Sequence, residues 1–401
     1  MTAVAEILDQ LLPALPGPLR NRVAGELRTI KELLMEARSP RLMFVGRRGA
    51  GKSSLVNAIV GEPVAEVGAV VAQTATLTWY SCRTAIGELR VLDTRGLGEG
   101  GPPAAAGERS ALAEIEAAVA AEAPDAMLFL CKAKEVDARL TEDVDNLAEI
   151  CAVVRRRHGA ELPLVAVVTQ VDELDPKRVE PPYDDADKQR HIAAAVSAMT
   201  AALARRGLDL ARVIPVSAYA EYRDGARVYD NFWHIDLLVD YLIEGLPQSA
   251  QAQLARLTRR RAVQERLARR LTGAAATISA GIGAVPIPIA DIVPITSLQI
   301  GLIAAIAYLS GREMSRDSAR EFLVALGANV GTAFALREGA RALAKIVFPA
   351  AGSAVSGGVA FAGTWAIGEA AIAYFIQGRT IGEAKRLLRR RRRKGEAPPE
   401  S

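Results

Sequence analysis

Residues 46–53 read GRRGAGKS. The short apolar run RLMFVG (41–46) leads into them, and KSSLVNAIVG (52–61) continues with helical spacing of its apolar residues. Strand, glycine loop, then helix is the setting in which Gly46, four residues, Gly51, Lys52 and Ser53 cradle a phosphate chain. The glycines let backbone N–H groups approach phosphate oxygens, and the helix N-terminus adds positive potential. Lys52 supplies a point charge to the β- and γ-phosphates, and Ser53 a hydroxyl to Mg²⁺. The stretch predicts a nucleotide site drawn from Gly46, Arg47, Arg48, Gly49, Ala50, Gly51, Lys52, Ser53 and Ser54.

Outward from this loop, runs of strand length recur: ATLTWYSC (75–82), ELRVLDT (88–94), DAMLFLCKA (125–133), LPLVAVVTQ (162–170) and ARVIPVSA (211–218). Helical patterns fall between them, at roughly 108–122, 139–157, 185–206 and 233–245. The alternation predicts an α/β domain over 41–246, a mostly parallel sheet with helices on both faces. With 401 residues, the chain has room for two or three domains.

The strand ends choose among nucleotides. VLDTRG places Asp93 where an acid can hold a magnesium water, and the Gly96 N–H where it can meet a γ-phosphate. VVTQVD places Asp172 at the base, where a carboxylate accepts two hydrogen bonds from guanine N1 and N2, a donor pair adenine lacks. In PVSA, Ser217 and Ala218 shape the base pocket through backbone contacts.

These ordered motifs over about 41–246 resemble the Era-like, translation-factor-related P-loop GTPases. The resemblance implies a Mg²⁺-dependent GTP/GDP site with two nucleotide-sensitive switch segments. Thr74 matches the switch threonine that closes on Mg²⁺ and γ-phosphate, with Thr76 as its rival. The resemblance thus implies Lys52, Thr74 and Gly96 as the catalytic set, Ser53, Thr74 and Asp93 as the metal set, and Thr169, Gln170 and Asp172 as the base readers. Three departures bear on turnover and affinity. Gln170 stands where the family has lysine, Arg95 where it has proline, and Leu97 where Ras-like relatives carry a water-orienting glutamine. Gly49 replaces the asparagine of potassium-assisted relatives. Slow or partner-dependent hydrolysis of GTP to GDP and phosphate is the expectation. Arg47, Arg48 and Arg95 are then either arginine fingers or exposed arginines and partners of acids.

Composition changes along the chain. Residues 4–38 have amphipathic helical spacing, expected as a helical lead (1–40) packed on the next domain. A basic linker helix is expected within 247–271. Between Thr272 and Ser310 the only charge is Asp291, and 346–368 has none. Each is long enough to cross a bilayer, although Pro286, Pro288 and Pro294 interrupt the first. Gly327 and Gly331 have the spacing of close helix packing. The core from Pro286 to Gly311 resembles the hydrophobic domain of unknown function found in YcjF-like bacterial proteins and fused to Era-like GTPases. The resemblance suggests an all-α, membrane-associated domain over 272–385, without catalytic residues of its own; insertion, peripheral association and a tightly packed soluble bundle are the alternatives, since small residues such as Gly352, Ser356 and Gly363 suit close packing in each. The run KRLLRRRRRK (385–394) opens a basic tail (386–401) suited to anionic lipid or nucleic acid, or simply solvated. Basic segments on both sides of the apolar block place the G domain at the inner face of a cell membrane, given an even number of passes.

The other residues exclude several classes. Three cysteines without CxxC spacing predict buried or incidental thiols in a reducing compartment, and three histidines make a His-based zinc site improbable. Glu6 and Asp9, with no basic residue before Arg20, do not make a secretory signal. The expected function is a membrane-associated GTP-binding switch or mechanoenzyme. Membrane lipid is the expected partner, and a homodimer through the G domains a second. The first rival is a ribosome- or RNA-assembly GTPase; an apolar block in place of a basic RNA fold argues against nucleic acid. The second rival is a GTP-binding interaction protein deficient in hydrolysis. No motif names a protein effector.

Overall fold

The computed structural model describes residues 17–64, 79–94, 108–136, 140–159, 162–208, 212–284, 292–313, 316–326 and 352–394. The chain divides into two units, one of Arg38–Thr258 and the other of Met1–Ala37 with Arg259–Ser401.

In the first unit, β1 (Arg41–Gly46) lies inside a six-stranded sheet, flanked by β3 (Gly87–Thr94) and β4 (Ala126–Lys132). β2 (Tyr80–Thr84) forms one edge beyond β3, and β5 (Leu164–Thr169) and β6 (Arg212–Pro215) complete the other side. All pairings are parallel except β2 with β3, which the tight turn between Thr84 and Gly87 makes antiparallel. The expected α/β domain with a mostly parallel sheet is therefore present.

Helices α2 (Lys52–Val60), α3 (Glu108–Ala121), α4 (Leu140–His158), α5 (Ala186–Ala204), α6 (Ile235–Gly245) and α7 (Gln248–Thr258) follow the strands. Met43 and Val45 of β1, with Phe129 of β4 and Val168 of β5, pack with Ile115 and Val119 of α3, Leu147 and Ile150 of α4, and Met199 and Leu203 of α5. The neighbouring Leu42 and Phe44 are equally buried, as a strand covered on both faces requires. Register brings Gly46 level with Leu130, Phe44 with Asp93, and Lys132 with Thr169. One edge of the sheet thus gathers the ends of four strands.

Two features were not legible in the sequence. A hairpin, β7 (Ala220–Arg223) with β8 (Ala226–Asp230), follows Ser217–Ala218 and pairs only with itself among the described strands. The expected basic linker helix is also interrupted. Its first part is α7, which buries Leu254, Ala255 and Leu257, packs on β3 and stays with the sheet. Arg259 then takes a left-handed φ of 51° and ends the run.

The second unit is helical throughout its described residues: α1 (Gly17–Ile30), α8 (Arg261–Ala284), α9 (Ile292–Leu309), α10 (Arg316–Ala325), α11 (Gly352–Phe375) and α12 (Ile381–Lys394). The N-terminal lead falls in this unit and packs against α8, burying Val23, Leu27 and Ile30. α8 also packs along α11, where a Cβ on Gly368 would strike the Thr272 side chain. Polar groups link α11 to both neighbours: Gln299 Nε2 of α9 donates to Thr364 Oγ1 at 3.1 Å, and Thr364 Oγ1 donates to Ser279 Oγ of α8 at 2.8 Å. Arg269 Nε lies 3.5 Å from Glu369 Oε1. One described helix segment, Gly357–Phe375, is long and apolar enough to cross a membrane, and 61% of its most apolar stretch is buried. Asp291, Gly327 and Gly331 lie outside the described residues.

Candidate functional site

The loop after β1 needs two left-handed residues, and glycines occupy both: Gly49 has φ 77° and Gly51 φ 88°. Gly51 is the N-cap of α2, no side chain caps that helix, and its first turn has no acid. The positive end of α2 is thus directed at the loop without an internal anion. Lys52 Nζ reaches back to donate to Gly46 O at 2.7 Å and Arg47 O at 3.0 Å, and lies 3.5 Å from Asp93 Oδ1. Ser53 and Ser54 follow it, partly exposed in the first turn. Thr94 Oγ1 donates to Phe44 O at 3.1 Å and ties the Asp93 end of β3 to β1.

The base side is fastened to this loop. Thr169 Oγ1 donates to Ala50 O at 2.8 Å and to Cys131 O at 3.3 Å. Gln170 takes a left-handed φ of 57°, and its Nε2 donates to Gly49 O at 2.9 Å. Gln170 therefore spends its amide on the phosphate loop. Asp172 is partly exposed, and Ser217 Oγ donates to its Oδ1 at 3.0 Å. Ser217 is fully buried and exchanges two backbone hydrogen bonds with Trp233, with Ala218 partly exposed beside it. The sequence suggested backbone contacts for Ser217; its hydroxyl on the carboxylate is an addition.

Arg47 is committed elsewhere. Its Nε donates to both carboxylate oxygens of Asp143 at 2.8 and 2.9 Å, and its Nη2 to Glu142 Oε2 at 2.9 Å. These acids open α4, and their hydrogen bonds push the guanidinium pKa up. Of the two readings of Arg47, the partner of acids is the observed one, although the acids lie on α4 rather than in a switch loop. Arg48 is exposed. Lys132, which sequence reasoning missed, brings its Nζ to 3.4 Å from where a Cβ on Gly49 would sit and bonds Glu135 at 3.1 Å. Only the register of β4 beside β1 exposes that proximity. Thr74, Thr76, Arg95, Gly96 and Leu97 lie outside the described residues.

The site fits a nucleoside phosphate on its own geometry: an uncapped helix start, two left-handed glycines, and a lysine folded onto the loop's carbonyls. The fit for Mg²⁺ is chemical. Asp93 and Ser53 offer hard oxygens, and no cluster of three or more His, Cys, Asp or Glu exists among the described residues. A magnesium ion here would be completed by phosphate and water oxygens. Burial pushes the Cys131 thiol up to about 12 and the Cys82 thiol up to about 11, so both behave as the buried thiols expected.

Residues 41–170 match the family model described as 50S ribosome-binding GTPase, and residues 248–394 match Domain of unknown function (DUF697). The chain joins a P-loop GTPase domain to a DUF697 domain. GTPase Der of Lacticaseibacillus casei (strain BL23) is 30% identical over 147 residues, which are 36% of this chain and 30% of the relative. The chain thus spans less than a third of the length of the curated relative. Among solved structures, a point variant of Aquifex aeolicus Era bound to GDP and AlF4⁻ covers 52% of this chain and 57% of its own, at 20% identity and TM-score 0.33. Toc33 from Arabidopsis thaliana with GDP and Mg²⁺ covers 61% and 94%, at 17% identity and TM-score 0.34. The GTPase match ends at Gln170, before Asp172 and Ser217, so the base side rests on the geometry above.

Proposed function

We propose that the protein binds GTP and GDP with Mg²⁺ and hydrolyses GTP to GDP and phosphate slowly, as a membrane-associated switch. The observation that carries the guanine reading is the continuous tether from phosphate loop to base carboxylate. Gln170 holds Gly49, Thr169 holds Ala50, and Ser217 holds Asp172. The loop N–H groups and Lys52 would bind the phosphates, with Lys52 exchanging carbonyls for phosphate oxygens. Ser53 and Asp93 would hold the magnesium ion, which supplies charge neutralisation at the β- and γ-phosphates. Asp172 would accept from guanine N1 and N2. Thr74 and Gly96 are the residues proposed to close on the γ-phosphate.

Slow turnover is supported by the residue types that the motifs assign to the phosphate side. Leu97 cannot orient water by hydrogen bonding, Gly49 offers no side chain, and Arg47 is held by Asp143 and Glu142. Titration of the full chain with GTP, GDP and ATP in Mg²⁺, followed by phosphate release, tests this part. Tight guanine-nucleotide binding with a turnover well below one per minute is expected. Equal binding of ATP, or fast hydrolysis by the monomer, contradicts it.

The membrane role is supported by α9 and α11, both apolar, and by α12, whose Arg386, Arg389 and Arg390 stand on a helix that buries Ala384 and Leu388. Attachment to the inner face of a cell membrane would place the G domain in the cytosol. Pairing of two copies through their G domains is the proposed route by which nucleotide state would be passed on. The burial of 61% of the most apolar stretch of Gly357–Phe375 and the polar links Thr364–Ser279 and Arg269–Glu369 favour a second reading, a packed helical domain docked on the membrane surface. An alkaline carbonate wash separates the two: retention in the pellet means insertion, and release means docking.

A further inference from the structure

Behind Asp172 lies a buried cation that the nucleotide chemistry has not used. Lys188, in the first turn of α5, is fully buried. Its Nζ donates to the backbone carbonyls of Asp172, at 2.9 Å, and Leu174. Both belong to the single helical turn that presents the Asp172 carboxylate. The ammonium stands 5.0 Å from the ring centre of Tyr183, another fully buried side chain, which takes a left-handed φ of 62°. Tyr183 meets Trp233 edge to face at 5.2 Å, and Trp233 pairs with Ser217, whose hydroxyl holds Asp172. Asp172 is thus gripped twice, through its carbonyl by Lys188 and through its carboxylate by Ser217, with the Tyr183–Trp233 pair between the grips. The Asp185 side chain, which caps α5, fixes the Lys188 backbone N–H at 3.0 Å.

A buried ammonium is costly unless it is well paired, and among the described residues Lys188 makes no ion pair. Burial pushes its pKa down, opposed by the carboxylates of Asp172 and Asp175. A methionine would fill much the same space without that desolvation. The groups Lys188 touches are the base-reading turn and the ring beneath it, so its charge serves the position of that turn.

We propose that Lys188 is a positioning residue for base recognition: by holding the Asp172 turn, it sets the preference for guanine over bases that lack the 2-amino group. This rests on reading Asp172 as the guanine-binding carboxylate. Inosine keeps N1–H and lacks the 2-amino group, so it asks Asp172 for one hydrogen bond instead of two. A turn that drifts by a few tenths of an ångström loses the second bond first.

The test is competition of GDP, IDP and ADP against a fluorescent GDP analogue, in Mg²⁺, on the full chain and on Lys188→Met and Lys188→Gln. The wild type is expected to favour GDP over IDP by about tenfold or more, as a hydrogen bond to a charged acceptor implies. Lys188→Met should bring that ratio to within about threefold, and Lys188→Gln, which keeps a donor, should fall between. Equal losses for all three nucleotides, with the ratio kept, would mean that Lys188 serves only the fold, and would overturn the proposal. If Lys188→Met does not fold, Lys188→Gln decides alone. A wild type that shows no preference for GDP over both IDP and ADP removes the reading of Asp172, and this proposal with it.

Discussion

At the residue scale the site is a set of tethers, and each has a separable cost. Gln170 gives the phosphate loop one neutral hydrogen bond, to Gly49 O. Its loss in Gln170→Ala should weaken GDP binding roughly fivefold, the equivalent of about 1 kcal/mol, with little change in melting temperature. Titration calorimetry checks this, and an unchanged affinity would show the tether to be idle. Lys52→Ala should lose binding by at least about 100-fold, because it removes the charged donor that is folded onto the loop carbonyls and offered to the phosphates. The phosphate loop was legible from Gly46, Gly51, Lys52 and Ser53 because the motif is local in sequence. Arg47 with Asp143 was not: 96 residues separate them, and nothing in either segment names the other.

At the element scale, alternation of apolar runs fixed the parallel sheet, since strands covered on both faces read as continuous hydrophobic stretches. The β7–β8 hairpin escaped this reading because β8 is exposed along its whole length and has no apolar run. Its base is closed by the Ser217–Trp233 pair, and Trp233 stacks on His234 with ring centres 3.5 Å apart. Burial lowers the His234 pKa, partly opposed by its hydrogen bond to Pro215 O. With the folded pKa below the unfolded value of about 6.5, the unfolded chain binds more protons as pH falls through that value. Stability of the sheet unit should therefore be full above about pH 6.5 and decline below it, and His234→Gln should flatten that decline. Thermal melts between pH 5 and 8 measure it; identical profiles would contradict the assignment. In the helical unit, Gly368 lies against Thr272 where α11 crosses α8. Gly368→Leu should cost about 1–3 kcal/mol of overpacking, seen as a lower melting temperature of that unit. The same tight crossing explains why small residues in α11 were ambiguous in sequence: Gly and Ala suit close packing in water and in lipid alike.

At the scale of the whole molecule, a GTPase domain is joined to a DUF697 domain, and the described residues of the apolar third form helices linked by a buried hydroxyl pair and a partly exposed ion pair. Charge reversal of Arg386, Arg389 and Arg390 to glutamate should reduce binding to phosphatidylserine vesicles by at least about tenfold, at about 1 kcal/mol per basic residue near the surface. Vesicle sedimentation reads that loss, and full retention would leave attachment to α9 and α11. The claim on which the rest depends is that Asp172 reads guanine at the end of the tethered loop. Its most direct test is Asp172→Asn assayed with GDP and XDP in Mg²⁺. Asparagine offers the donor that the second carbonyl of xanthine needs. The account predicts that GDP binding falls by at least about 100-fold while XDP binding rises to near the wild-type GDP level. Unchanged GDP binding, with no gain for XDP, would contradict it.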